Sequence, residues 1–70
     1  MIRFREMPRR PGSRIRRFAF TDGESGLSGE AFKIGVTLWR AAIPGMADAE
    51  GKTRLEACER VVRMAESGRG

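Results

Sequence analysis

The chain holds one cysteine, Cys58, and no histidine, so neither an intramolecular disulfide nor a zinc site of Cys and His ligands can hold it folded. At 70 residues that restriction weighs heavily. A chain this short buries only about 60% of the surface it exposes when unfolded, and it commonly leans on a disulfide, a metal or a partner subunit. With the first two excluded, a thin apolar core remains, to which a homodimer contact could add. Apolar residues make up 40% of the chain and charged residues 33%, with no Gln or Asn. This is the composition of a folded domain rather than of a disordered tract.

A lone thiol fits a reducing compartment, and the expected location is cytoplasmic. No window approaches the roughly 18 to 20 consecutive apolar residues that span a bilayer, so no membrane partner is expected. Arg16-Arg17-Phe18 has the look of a twin-arginine export signal, but Thr21-Asp22-Gly23-Glu24 stands where its apolar stretch belongs. The Arg-rich start also suggests a mitochondrial transit peptide. Pro8, Pro11 and Gly12 interrupt the amphipathic helix that such peptides form.

Charge is distributed unevenly. Residues 1–18 carry seven arginines (Arg3, Arg5, Arg9, Arg10, Arg14, Arg16 and Arg17) and one acid, Glu6, for a net +6; residues 19–70 carry seven basic residues and eight acids, for −1. The net +5 of the whole chain therefore originates in its first quarter. Twelve Arg against two Lys is compatible with a coding bias, but a bias would spread them, whereas seven fall within fifteen positions.

The same quarter alternates in polarity. Ile2 and Phe4 alternate with Arg3 and Arg5, and Ile15 and Ala19 alternate with Arg16, Phe18 and Phe20. Period two predicts strands. Pro8-Arg9-Arg10-Pro11-Gly12-Ser13 has the composition of a turn, so segments 2–6 and 14–20 are expected to pair as a hairpin, or to form an arm and one strand. Thr21 to Gly29 reads as a loop.

From Gly29 to Ile43 the polar side chains Lys33, Thr37 and Arg40 fall at spacings of four and three, which predicts a helix with one narrow polar stripe. Ser28 serves as its N-cap, and Phe32, Val36, Trp39 and Ile43 form its main apolar face. Pro44-Gly45 ends it, and a second helix is expected over 48–67 with Leu55, Cys58, Val62 and Ala65 buried. The composite is a single α+β domain of order ββαα: a basic arm or hairpin at 1–18 packed on a helical body at 29–67.

Catalytic and cofactor motifs are absent or incomplete. Gly51-Lys52-Thr53 looks like the end of a phosphate-binding loop, yet five residues rather than four separate Gly45 from Gly51 and the chain has no βαβ frame. A helix start with a Lys is the plainer reading. Without His, the Ser-His and Cys-His arrangements are impossible within the chain, and Cys58 on an apolar stripe reads as an inert buried thiol. Asp22 with Glu24, and Asp48 with Glu50, are better explained by solvation and helix-terminal electrostatics than by cation binding. Trp39 reads as a core anchor. A helix-turn-helix is disfavoured because Asp48 and Glu50 would repel phosphate at the start of the second helix.

The arginines are the one feature above this background. Guanidinium groups fork onto phosphate or carboxylate, and Phe4, Phe18 and Phe20 interleave with them as candidate stacking residues. The plainer reading puts those rings in the core and the arginines on a solvated strand face. The expected function is a non-enzymatic binding module, with no cofactor and no metal, whose Arg3, Arg5, Arg9, Arg10, Arg14, Arg16 and Arg17 engage a polyanion, first of all nucleic acid. The alternative is a small phage or bacterial regulator or inhibitor that docks on an acidic protein surface, since carboxylates attract the same side chains.

Overall fold

A computed structural model describes residues 1–8, 11–12 and 14–68. Five strands, β1 (Ile2–Glu6), β2 (Arg17–Asp22), β3 (Ser28–Gly35), β4 (Leu38–Ile43) and β5 (Ala47–Gly51), precede one helix, α1 (Arg54–Gly68). The strands form an antiparallel meander in which each pairs with the next in sequence. This corrects the expected ββαα order: the domain has five strands and one helix, not two strands and two helices.

The predicted helix over 29–43 is instead the β3–β4 hairpin. Lys33, Thr37 and Arg40 do share a helical spacing, but the segment is rich in aromatic and β-branched residues and carries Gly29 and Gly35, all of which favour strand over helix interior. An apolar run with few polar positions satisfies a strand covered on one face and half-shielded on the other as readily as a helix. The apolar face assigned to that helix is therefore divided. Ile43 is buried and Trp39 packs at the margin of the core, whereas Val36, at the hairpin tip, is 90% exposed. Asp48 to Gly51, expected to open the second helix, forms β5.

Only α1 survives as helix, and its start is written locally. The Glu56 N–H donates to the Thr53 hydroxyl at 3.0 Å, while a Glu56 carboxylate oxygen accepts from the Lys52 N–H at 3.1 Å. This is a reciprocal arrangement close to a capping box, and the Thr-x-x-Glu spacing announces it. The Gly51-Lys52-Thr53 triplet is thus a strand end and helix cap. A Cβ on Gly51 would lie 2.6 Å from the Ala57 nitrogen, so glycine there lets the helix turn back tightly over β5.

α1 lies chiefly over β4 and β5 and reaches β3 and β1 more sparsely. Its Ala57, Cys58, Val61, Val62 and Ala65 are buried against Phe20, Leu27, Ala31, Ala41 and Ile43. Leu55, expected in this stripe, is 47% exposed, because the capped first turn directs it away from the sheet. Alanines at 31, 41 and 57, all fully buried, let helix and sheet approach closely. The opposite face of the sheet has no second layer among the described residues.

β1 and β2 are joined through a turn in which Gly12 adopts φ +80°, a conformation that glycine takes without strain. β2 begins at Arg17 rather than at residue 14; Arg9, Arg10 and Ser13 of the predicted turn lie outside the described residues. The 21–29 loop is shorter than expected, because β2 runs to Asp22 and β3 starts at Ser28. Asp22 organises what remains. Its carboxylate accepts from the Ser25 hydroxyl at 2.7 Å and from the Glu24 and Ser25 N–H groups, and the Met1 ammonium lies 3.6 Å away.

Two measurements check this architecture. Phe20→Ala removes a ring that is 1% exposed and is expected to cost about 3 to 5 kcal/mol in urea unfolding, a large fraction of what so small a domain has. Phe32→Ala, on the helix-free face, is expected to cost less than half as much; equal losses would show that Phe32 is as deeply buried as Phe20. The Ser25 hydroxyl, above all, lowers the Asp22 pKa from 3.8, with the Glu24 and Ser25 amides and the Met1 ammonium adding to it against some desolvation. A depressed folded pKa contributes stability that is fully present above the unfolded value and is lost as pH falls through the folded one. The stability gap between the parent and Asp22→Asn is therefore expected to be constant above about pH 5 and to shrink below about pH 4.

Candidate nucleic-acid interface

Strand parity sorts the N-terminal arginines. Phe4 pairs with Phe20, and Arg5 with Ala19. Ile2, Phe4 and Phe20 turn toward α1, so Arg3 and Arg5 project from the helix-free face. Phe18 and Phe20 are buried at 5% and 1% exposure, which sends Arg17, Ala19 and Thr21 to the same helix-free side. Through the β2–β3 and β3–β4 registers, Arg17 lies opposite Phe32 and Phe32 opposite Arg40; Arg40 in turn faces Glu50.

The structure therefore puts Arg3, Arg5 and Arg17 on one sheet face, with Phe32 opposite Arg17 and Arg3 four residues farther along, opposite Thr21. Arg17 donates to Glu30 at 2.8 Å, and Arg40 to Glu50 at 2.9 Å. Arg3, Arg5 and Arg14 make no ion pair among the described residues. The face is electrically polarised: β1 and β2 contribute three arginines, whereas Glu30, Arg40, Asp48 and Glu50 on β3 to β5 leave a net negative side.

Arg14 and Arg16 lie apart from this trio. With Lys33, Gly35 and Val36 they line a shallow depression at the end of the β3–β4 hairpin. Arg16 is also tied to Glu6 at 3.0 Å, with its guanidinium 5.3 Å from the Phe18 ring centre. Arg9 and Arg10 lie outside the described residues. The seven arginines thus form one sheet-face group, one hairpin-end group and a pair whose position is not described.

Phe4, Phe18 and Phe20 lie on the face opposite Arg3, Arg5 and Arg17, and of the N-terminal arginines only Arg16, among the described residues, stands over one of them, Phe18. They face α1, where the Arg54 guanidinium covers Phe4 at 4.0 Å and Phe18 at 4.3 Å, and Trp39 packs 5.8 Å from Phe18. The Arg54 cation thus occupies one face of each ring. The aromatic residue that does share the arginine face is Phe32, which the helical reading of 29–43 had placed in the core. Its signal was the alternation Ala31, Phe32, Lys33 within a strand.

Among the described residues no cluster of three or more Cys, Asp or Glu could hold a metal, and no helix is long and apolar enough to cross a membrane. Cys58 is fully buried, and desolvation raises its thiol pKa to about 12 against a smaller opposing effect of Arg54. Comparison with protein-family models, curated proteins and solved structures returned no match to the chain.

The thiol offers a direct check on this packing. Cys58 is expected to react with a thiol reagent at least a hundredfold more slowly in native buffer than in denaturant, because burial withholds the thiolate that reacts. Labelling at the denatured rate without denaturant would show that α1 is not seated on the sheet.

Proposed function

We propose that the protein is a non-enzymatic binding module that engages nucleic acid through the basic half of its helix-free sheet face. The observation that carries this reading is the register that sets Arg3, Arg5 and Arg17 in a row on one face, which no helix covers among the described residues. Three guanidiniums on adjacent strands, two of them without a counter-ion among the described residues, attract phosphates. Small neighbours at Ala19, Thr21 and Ser28 allow a backbone to approach. Glu30, Asp48 and Glu50 restrict a polyanion to the β1–β2 side. Arg14 and Arg16 extend the same charge toward the hairpin end, and Arg9 and Arg10 belong to the same basic stretch of sequence. A single buried thiol suits a reducing compartment, so the cytoplasm is the proposed location.

A second reading, a small regulator or inhibitor docking on an acidic protein surface, is favoured by a different observation. Val36 is 90% exposed, and Ile34 and Leu38, each 38% exposed, accompany it at the hairpin end near Arg14 and Lys33. Apolar anchors within a basic collar are what such a partner would use.

Fluorescence anisotropy with labelled mixed-sequence oligonucleotides across a salt series separates the two. With four to six phosphate contacts, log affinity for duplex should fall against log salt with a slope of about −3.5 to −5.5, and for single strands about −3 to −4. Arg3→Ala with Arg5→Ala should reduce the slope by roughly one to two, while Lys at both positions retains most of the binding. Val36→Ala with Leu38→Ala should leave it unchanged. No binding by the parent to duplex or single strand near 50 mM salt would reject the nucleic-acid reading.

A further inference from the structure

The helix-free face holds one feature that phosphate attraction does not explain. Phe32 lies on β3, the middle strand, with its side chain directed away from α1 and outside the apolar core. Arg17 and Arg40 are its cross-strand neighbours. Each is held by its own carboxylate, Glu30 and Glu50 respectively. Both guanidiniums are thus paired with carboxylates, and among the described residues neither stacks over the Phe32 ring, in contrast to the way Arg54 covers Phe4 and Phe18. The result is a half-buried ring between two ion pairs on a sheet face that carries no second layer among the described residues.

We propose that this face takes single-stranded rather than duplex nucleic acid, with one base stacked on Phe32 and the phosphates following Arg3 and Arg5; the inference rests on the nucleic-acid reading above. Neighbouring strands are about 4.8 Å apart, so Phe32 lies roughly 10 Å across the sheet from β1. An unpaired nucleotide can set its phosphate on the β1–β2 side and its base on β3. A base within a duplex is stacked on its neighbours and offers no free face to an aromatic platform. Duplex also carries a second phosphate backbone. The five strands span roughly 19 Å, so a duplex laid across the face would bring that backbone toward Asp48 and Glu50, whose charge opposes it.

The test uses the full chain with one mixed-sequence labelled 12-mer as single-stranded DNA, as single-stranded RNA and as DNA duplex. The parent is expected to bind both single strands at least tenfold more tightly than the duplex. Phe32→Leu, which keeps an apolar side chain on the sheet but removes the ring, should weaken single-strand binding by roughly 5- to 100-fold, the range set by one base–aromatic stack. It should change duplex binding less than twofold. Phe32→Trp should restore single-strand affinity, and thermal melting of both variants within a few degrees of the parent separates lost stacking from lost fold. Tighter binding to duplex, or single-strand binding indifferent to Phe32→Leu in a folded protein, would overturn the inference while leaving the phosphate-binding reading intact. Absence of binding to all three probes would overturn both.

Discussion

The close seating of α1 on one face of the sheet is the contact from which the rest of the molecule follows. A five-stranded meander with one apolar face cannot remain folded in water unless that face is covered, and α1 is its cover. Ala31, Ala41 and Ala57 are all fully buried, and Gly51 has no side chain to obstruct the Ala57 nitrogen. The interface is consequently built from small residues and a few large ones, Phe20 chief among them. Such a core gains most of its stability from close approach, and added volume at these positions is costly.

That arrangement also decides which side chains are available for binding. Once the helix claims the face bearing Phe4, Phe18 and Phe20, the alternation of a strand sends Arg3, Arg5 and Arg17 to the other. Arg54 then closes the aromatic cluster from the helix side with a cation over two rings. Two populations of arginine result. One is structural and engaged with rings or carboxylates, as Arg16, Arg40 and Arg54 are. The other, Arg3, Arg5 and Arg14, lacks an internal anion among the described residues. A polyanion or an acidic partner would meet the second population first.

The sheet's two edge strands are treated differently. β1 carries Arg3 and Arg5, and charged side chains on an edge discourage pairing with another chain. β5 carries Asp48 and Glu50, and the Arg60 guanidinium donates to the Glu50 carbonyl at 3.0 Å, occupying one backbone acceptor of that strand. The polarity of the open face, basic at β1 and acidic at β5, is the side-chain consequence of the same two edges. It confines the proposed nucleic-acid path to less than the full width of the sheet.

Much of this was written in short-range sequence. The lone cysteine and missing histidine excluded staples, the clustering of seven arginines marked the charged end, the alternation of Ile2 to Arg5 marked a strand, and Thr53 with Glu56 marked a helix start that the longer helical reading of 48–67 obscured. What the sequence could not decide was the state of residues 29 to 43. There, an apolar run with polar residues at helical spacing is consistent with both periods, and only pairing with β2 and β5 selects strand. Cross-strand hydrogen bonds and burial under α1 are non-local, so local pattern carries no record of them. The same pairing placed Phe32 on the arginine face and withdrew Phe4, Phe18 and Phe20 from it, since the face a strand residue occupies depends on which side the helix covers.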